Sequence, residues 1–227
     1  MLILSWNCCL PPWSISRRKR LPKIISAIIA ISPDVACLQE VFFKSDAASI
    51  VSNLQIYGFL DSFYFKDLLI VSKTKLSEKK GVVFSKQGSM FSLAVLDVLY
   101  GKSFQTIRVL DKSESIFLIN IHLLSAWADD SLKHQNVREE QVKEIYEVSE
   151  KLFSGKKIIV GDFNFQPLTS PYKTLTELNF VDATTGENTT ATRHLDFIFL
   201  KNFPKSDARI AFFNNLLSDH AALTISL

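Results

Sequence analysis

The stretch Lys157-Ile158-Ile159-Val160-Gly161-Asp162-Phe163-Asn164 joins a short apolar run to polar residues. Its first half has the length and the β-branched composition of a buried strand. Asp162 and Asn164 follow where that strand ends, which is where α/β enzymes place their sites. Gly161-Asp162 alone is also compatible with an ordinary turn.

Short apolar runs of the same kind recur along the chain and predict further strands. Several of them follow one another without a helix between, so antiparallel pairing must supplement any parallel βαβ units. We therefore expect an α/β fold in which two packed mixed β-sheets are flanked by helices. Besides Lys157–Val160, the predicted strands are Leu2–Trp6, Val35–Leu38, Leu68–Val71, Gly81–Phe84, Phe91–Val98, Ile116–Ile121, Leu195–Leu200 and Ala221–Ile225.

Helical patterns lie between these strands. The clearest one spans Asp129–Phe153, where apolar residues such as Val142 and Ile145 recur at spacings of three and four. Ser170-Pro171 is typical of a helix start, because serine caps helices and proline suits the first helical position. The remaining predicted helices are Leu21–Ile31 and Asp46–Gln55.

The composition is typical of a soluble globular protein. The chain has 227 residues, of which 47% are hydrophobic and 22% are charged, and these values exclude a disordered or low-complexity protein. Because no internal repeat or Pro/Gly/Ser-rich linker occurs, we expect residues 1–227 to form a single domain. Cys8, Cys9 and Cys37 lack the spacing of a zinc finger and suit small buried core positions.

Neither a secretory signal nor a membrane span is visible in the sequence. The longest apolar stretch, Ile24–Ile31, is far shorter than the ~18 residues that a spanning helix needs. We therefore expect a cytoplasmic protein, and we expect it to be a monomer. The net charge is only +3, but the basic segment Arg17–Arg20 either meets phosphate or an anionic membrane surface, or simply faces water at a helix start.

Carboxylate, amide and imidazole side chains stand at the ends of the predicted strands. Such a set is typical of a Mg²⁺ or Mn²⁺ site rather than a Cys/His zinc site. Hydrolysis of a phosphoester needs a positioned water, a base and stabilisation of negative charge, and the set offers a candidate for each. The sequence thus indicates a divalent-metal-dependent phosphoester hydrolase. The candidate residues are Asn7, Glu40, Asn120, His122, Asp162, Asn164, Asp196, Asp219 and His220.

These residues fall in blocks that resemble the endonuclease/exonuclease/phosphatase superfamily. The blocks span the whole chain in the order found in that family. The resemblance implies a four-layer α/β/β/α sandwich with the site at one edge. The blocks are Trp6-Asn7, Leu38-Gln39-Glu40-Val41, Asn120-Ile121-His122-Leu123, Gly161-Asp162-Phe163-Asn164, Leu195-Asp196-Phe197-Ile198 and Ser218-Asp219-His220.

The resemblance also implies a metal site. Glu40 looks like the main metal ligand, and Asn7 lies beside it in contact with metal-bound water or phosphate. Asp219 looks like a further acid near the metal. The resemblance implies Mg²⁺, with Mn²⁺ as the alternative.

The catalytic roles follow from the same resemblance. Asp162 would orient or deprotonate the attacking water, while Asn164 and His122 would bind the phosphate. His220 resembles the catalytic histidine of the family, held by Asp196. Mechanisms in the superfamily differ on whether the residue at the position of Asp162 or of His220 takes the proton of the water.

Details of the blocks favour one branch of the superfamily. Asn7-Cys8-Cys9 and Glu40-Val41-Phe42 are similar to the neutral sphingomyelinase branch, and Asn120-Ile121-His122 differs from the tyrosine-bearing pattern of abasic-site endonucleases. The leading hypothesis is therefore a phosphodiesterase acting on a small or lipid-linked phosphodiester. A DNA or RNA nuclease of the same superfamily is the alternative. A catalytically dead binding protein is disfavoured because every expected acid, amide and imidazole is present.

Overall fold

The computed structural model describes residues 1–14, 16–88, 100–111, 114–125, 134–184 and 186–227. In chain order, the strands are β1 (Leu2–Leu10), β2 (Val35–Val41), β3 (Asp61–Phe65), β4 (Leu68–Ser72), β5 (Ser77–Val83), β6 (Ser103–Asp111), β7 (Glu114–His122), β8 (Lys156–Asp162), β9 (Val181–Asp182), β10 (Asp196–Lys201), β11 (Arg209–Phe212) and β12 (Ala222–Ser226). The helices are α1 (Arg17–Ile31), α2 (Lys44–Gln55), α3 (Gln135–Leu152) and α4 (Ser170–Glu177).

The strands form two mixed sheets of six strands each. The first has the order β11-β12-β1-β2-β4-β3 and the second has the order β5-β6-β7-β8-β10-β9. One neighbouring pair in each sheet is parallel, β1 with β2 and β7 with β8. The other neighbours are antiparallel. The two parallel pairs therefore each bring two carboxyl-terminal strand ends to one edge.

Both faces of the central strands are buried, which explains their nearly continuous apolar runs. Side chains alternate between the two faces of a strand, so Ile3 of β1 enters the core between the sheets while Trp6 packs under α1 and α2. The inner core also contains Val160 of β8, and helices α3 and α4 cover the outer face of the second sheet. The four-layer α/β/β/α sandwich is thus confirmed.

The predicted strands that lie within the described residues are all present, with somewhat different bounds. The predicted strand Phe91–Val98 lies outside the described residues. Strands β3, β6, β9 and β11 were not predicted from the apolar runs. In β6 the reason is that polar Gln105 and Thr106 interrupt the pattern although both are fully buried.

The helices differ from the prediction mainly at their first residues. Helix α1 begins at Arg17 rather than Leu21, so the basic segment forms its first turn. In that segment, Arg17 pairs with Asp46 at 3.2 Å, and Arg20 donates to backbone carbonyls. Two of the basic side chains of the segment thus have partners within the protein.

The later helices also begin at different residues from those predicted. The N-cap of α4 is Thr169, one residue before the predicted Ser170. Helix α3 begins at Gln135, and residues 129–133 of its predicted span lie outside the described part of the chain. No helix among the described residues is both long and apolar enough to cross a membrane.

Candidate active site

The predicted site residues meet at one edge of the two sheets. Asn7 lies on β1 and Glu40 near the end of β2, whereas His122 and Asp162 are the last residues of β7 and β8. His122 is directly paired with Asp162 in the parallel ladder, and Asp196 faces Asp162 in the antiparallel one. The register of the second sheet therefore places two acids and an imidazole side by side.

Asn7 links the two sheets at this edge. Its amide nitrogen donates to Glu40 Oε1 at 3.1 Å and to Asp162 Oδ2 at 3.0 Å. Its amide oxygen accepts the backbone N–H of Cys9 at 2.9 Å, which determines the orientation of the amide. In this orientation Asn7 holds the two carboxylates together as a donor, and its role as a metal contact stays a prediction.

The backbone around the acids is strained. Glu40 has φ 58° and Asn164 has φ 52°, a left-handed conformation that non-glycine residues adopt at a cost. Gly161 has φ 142°, and a Cβ there would lie 2.1 Å from the carbonyl oxygen of Ile121. Strained backbone is common at functional sites. Here these conformations occur at the ends of β2 and β8, where the acids meet at the shared edge of the sheets.

His122 forms a buried pair with Asp67, which the sequence analysis did not identify. Nδ1 of His122 lies 2.6 Å from Asp67 Oδ2, and Nε2 lies 2.7 Å from Lys102 Nζ. Burial and Lys102 lower the pKa of His122, but Asp67 and Asp162 outweigh them and raise it above its ordinary value. Lys102 can donate a hydrogen bond to Nε2 only while that nitrogen carries no proton. The hydrogen bond from Lys102 and the protonation of His122 at Nε2 therefore exclude each other.

His220 forms the second histidine–acid pair, with Asp196. Nδ1 of His220 lies 2.8 Å from Asp196 Oδ2, and Nε2 faces Asp162 Oδ2 at 3.9 Å. Burial opposes the charged form, but Asp196 and Asp162 together raise the pKa of His220 to about 10. The backbone N–H of His220 donates to Ser218 Oγ, which itself donates to the carbonyl of Asn7 at 2.6 Å.

The other predicted residues take different positions. Asn164 lines the site, where its backbone N–H donates to Asp162 Oδ1 at 2.9 Å and its amide donates to the carbonyl of Leu123. Asp219 is exposed and also lines the site. Asn120 is fully buried between the sheets, where it accepts a hydrogen bond from Gln39 at 2.7 Å, so it supports the site from behind.

The donor set fits a hard divalent cation. Glu40, His122 and Asp162 offer ligand atoms within 4.8 Å of one another, and Asp162, Asp196 and His220 form a second such group. Burial raises the pKa of the Glu40 carboxyl although three neighbouring cations oppose this. A bound cation would stabilise this carboxylate. The acidic cluster can therefore bind a divalent metal, with Glu40 and Asp162 as its oxygen donors.

An open cavity of about 290 Å³ leads to these groups. Besides the predicted residues, its lining contains Trp13, Phe42, Lys102, Thr190 and Arg193. These residues lie in loops or directly before strands that were not predicted. Sequence periodicity identifies helices and strands only, so it did not indicate these residues as part of the site. Asp67 lies in the turn after β3. Its sequence context does not predict a site residue, because it contacts His122 only in the folded chain.

Solved structures of similar fold cover nearly the whole chain. A beta toxin from Staphylococcus aureus with bound magnesium ions has a TM-score of 0.82 at 19% identity, over 99% of this chain and 98% of the other. Sphingomyelinase C from Streptomyces griseocarneus has a TM-score of 0.79 at 15% identity, over 99% and 98%. A mannosyl-6-phosphatase from Bacteroides thetaiotaomicron has a TM-score of 0.76 at 18% identity, over 100% and 98%.

At these identities the likeness establishes the fold. No curated protein sequence matches the chain at a significant level. A sequence model of the Endonuclease/Exonuclease/phosphatase family, however, matches residues 4–220. Members of that family are hydrolases that act on phosphoesters. With its four-layer fold and with both histidine–acid pairs at one sheet edge, this chain belongs to the endonuclease/exonuclease/phosphatase family.

Proposed function

We propose that the protein is a Mg²⁺-dependent phosphodiesterase that uses an activated water to cleave a small or lipid-linked phosphodiester. The observation that carries the proposal is the meeting of Glu40 from one sheet with His122, Asp162 and the Asp196–His220 pair from the other, in one open cavity. Such a set supplies acids for a metal, a base and two imidazoles for the phosphate.

Glu40, supported by Asp162, would hold the metal. When bound, Mg²⁺ would offset negative charge on the phosphate oxygens. Asn7 keeps the two carboxylates together by donating to both of them. Because this donor is fixed by its bond to Cys9, the acidic pair is preorganised and does not have to be assembled when the substrate arrives.

The protonation of His220 supports Asp162 as the base. With its pKa near 10, His220 carries a proton at neutral pH and is available to bind the phosphate or to protonate the leaving oxygen. Asp162 accepts hydrogen bonds from Asn7 and from the backbone of Asn164, which hold its carboxyl group in the site. Asp162 Oδ2 lies 3.9 Å from Nε2 of His220, so a base and an acid would stand side by side in the site.

In this proposal, His122 and Asn164 would contact the phosphate. Asp67 supports positive charge on His122, so the ring can stabilise the non-bridging oxygens. Asn164 lines the cavity beside Asp162.

Two features support a small or lipid-linked substrate over a nucleic acid. Trp13 and Phe42 form an apolar part of the cavity wall, with their ring centroids 6.5 Å apart. The net charge of +3 provides little of the extended basic surface on which nucleases depend. One fold neighbour is a sphingomyelinase C, and this agrees with the sequence details of the same branch.

The purified protein should be assayed with Mg²⁺, Mn²⁺ or EDTA against sphingomyelin, lysophospholipids, small phosphodiesters, phosphomonoesters, plasmid DNA, abasic DNA and RNA. We expect metal-dependent cleavage of phosphodiesters outside the nucleic-acid group. Cleavage of DNA or RNA alone, with a rate that falls steeply with salt, would instead identify a nuclease. If none of these substrates were hydrolysed, the proposed activity would be wrong and a binding protein without catalytic activity would be the remaining hypothesis.

Variants test the assignment of the groups within that assay. Asp162→Ala and His220→Ala should each lower turnover by at least ~100-fold, which is typical for the loss of a positioned acid or base. Asp207→Ala, at an exposed loop position, serves as the control. Near-normal rates in either site variant would contradict the proposed roles.

A further inference from the structure

Arg193 lies in the cavity wall on a tight turn directly before the strand that begins with Asp196. The carbonyl of Arg193 accepts the backbone N–H groups of Thr189 and Thr190 at 3.0 and 2.9 Å. The backbone N–H of Arg193 donates to Thr190 Oγ1 at 3.1 Å. These bonds close the turn through its main chain, so the guanidinium of Arg193 is not needed to form it.

The turn is tied to the reacting groups. Thr189 Oγ1 accepts the backbone N–H groups of Leu195 and Asp196, both at 3.0 Å. The carbonyl of Thr189 accepts the N–H of Ala221, next to His220, at 2.6 Å. The position of Arg193 is therefore coupled to both members of the Asp196–His220 pair.

Arg193 differs from the other cationic groups of the cavity in its partners. His122 has Asp67, His220 has Asp196, and Lys102 contacts His122. The guanidinium of Arg193 has no hydrogen bond or ion pair with any residue that the structure describes. Arg193 is a half-buried residue of the cavity lining, and the five donors of its planar guanidinium are suited to bind an anion supplied by the ligand.

The proposed function already assigns cationic groups to the scissile phosphate. His122 and His220 face Asp162 at 3.7 and 3.9 Å, and together with Lys102 they are the cations that act on Glu40. We propose that Arg193 binds an anionic group that the substrate carries in addition to the phosphate that is hydrolysed. This inference rests on the proposed phosphodiesterase function and narrows its substrates to diesters that bear a carboxylate or a second phosphate. A head group with a cationic choline is disfavoured by the same charge.

Two diesters that differ by one carboxylate test this inference, methyl p-nitrophenyl phosphate and carboxymethyl p-nitrophenyl phosphate. Both release p-nitrophenolate, so the bond that breaks is the same. With Mg²⁺, the wild-type protein should prefer the carboxymethyl ester in kcat/KM by roughly 10–100-fold, the range of a charge-assisted hydrogen bond. Arg193→Gln should remove this preference, mainly by raising KM for the carboxymethyl ester.

Reversal of the charge at Arg193 provides a second test. Arg193→Glu should prefer p-nitrophenyl phosphorylcholine over the carboxymethyl ester, which inverts the order expected of the wild type. Arg209→Gln is the matched control, because Arg209 is exposed on the edge strand β11 and is absent from the lining of the catalytic cavity. It should keep the wild-type preference.

The outcomes separate the two proposals. An equal loss on both esters in Arg193→Gln would show that Arg193 binds the scissile phosphate, and it would overturn the inference while the phosphodiesterase function stands. A wild-type protein that does not distinguish the esters would overturn it as well. A wild-type protein that hydrolyses neither these esters nor any other phosphodiester would contradict the proposed function itself, and the inference with it.

Discussion

At the scale of single residues, the site depends on two histidines whose charge is determined by a carboxylate behind each ring. Asp67 is buried and holds His122, and Asp196 is buried and holds His220. Burial alone would lower the pKa of both histidines, so the carboxylates reverse the sign of the shift. Removal of either carboxylate should therefore change the protonation of the ring in front of it.

Asp67→Asn tests the partner that the sequence motifs did not reveal. The asparagine keeps the shape of the side chain but not its charge, so the pKa of His122 should fall. We expect kcat/KM to decrease about 10–100-fold, as is usual for the loss of a group that orients a reacting residue. Titration of the His122 ring by NMR and phosphodiester kinetics measure the two effects. Asp61→Asn, which removes a carboxylate paired with Lys79 outside the cavity, should leave both unchanged.

The raised pKa of His220 predicts a pH dependence of stability in the metal-free protein. Because the folded state holds the proton up to about pH 10 and an unfolded histidine only up to about 6.5, the contribution is complete below about pH 6.5. It is lost as the pH rises towards 10. Urea unfolding in EDTA should show that the stability difference between wild type and His220→Gln, on the order of a few kcal/mol, shrinks across this window. A difference that grows with pH would contradict the assignment.

At the scale of elements, the parallel pairing of β7 with β8 brings His122 beside Asp162. Gly161 makes this pairing possible, since its partner in the ladder is Ile121 and any Cβ would overlap the Ile121 carbonyl. The same residue has a positive φ of 142°, which side chains rarely adopt. The glycine thus determines how closely the ends of β7 and β8 approach.

Gly161→Ala should destabilise the protein by more than about 3 kcal/mol, because backbone strain and a backbone clash add up. Gly58→Ala is the matched control. Gly58 also has a positive φ, of 86°, but a Cβ there would meet nothing within 4 Å, so only about 1 kcal/mol should be lost. Denaturant unfolding of both variants measures the difference. Equal losses would show that strain alone, rather than the contact with Ile121, explains the need for glycine.

At the scale of the whole molecule, the acidic cluster joins the two sheets. Glu40 comes from the first sheet and Asp162 from the second. A cation held by both would bind the folded state only, so it should stabilise the protein by mass action. Burial raises the pKa of the partly buried Glu40 carboxyl, and a bound metal should offset the cost of its negative charge.

Mg²⁺ at millimolar concentration should raise the thermal midpoint of the wild type by about 3–8 °C, as expected for 1–3 kcal/mol in a chain of this size. In Glu40→Gln the shift should vanish. Because the buried charge is removed, the metal-free variant should be at least as stable as the metal-free wild type. Glu177→Gln, at an exposed position on α4, should keep the full shift. A shift that persists in Glu40→Gln would place the metal elsewhere.

Much of this arrangement could be predicted from the sequence. Local apolar patterns identified strands such as β1, β2 and β8 because their side chains are buried on both faces, and the polar residues at their ends marked the site. Strand β6 was not recognised, since buried Gln105 and Thr106 make it look polar. Their burial is tolerated because both have hydrogen-bond partners. Gln105 donates to the carbonyl of Phe63 in the other sheet, and Thr106 donates to the carbonyl of Lys80 on the neighbouring strand β5.

By itself, the sequence determined the alternation of strands and helices, the family and the chemical types gathered for catalysis, because these follow from local periodicity and from short motifs. Only the tertiary structure decided which acid contacts which histidine, that Asn7 joins Glu40 to Asp162, and that Arg193 lines the cavity. The physical reason is separation along the chain. Asp67 and His122 are 55 residues apart and Asn7 and Asp162 are 155 apart, so their contacts depend on strand register and sheet packing, which no local pattern encodes.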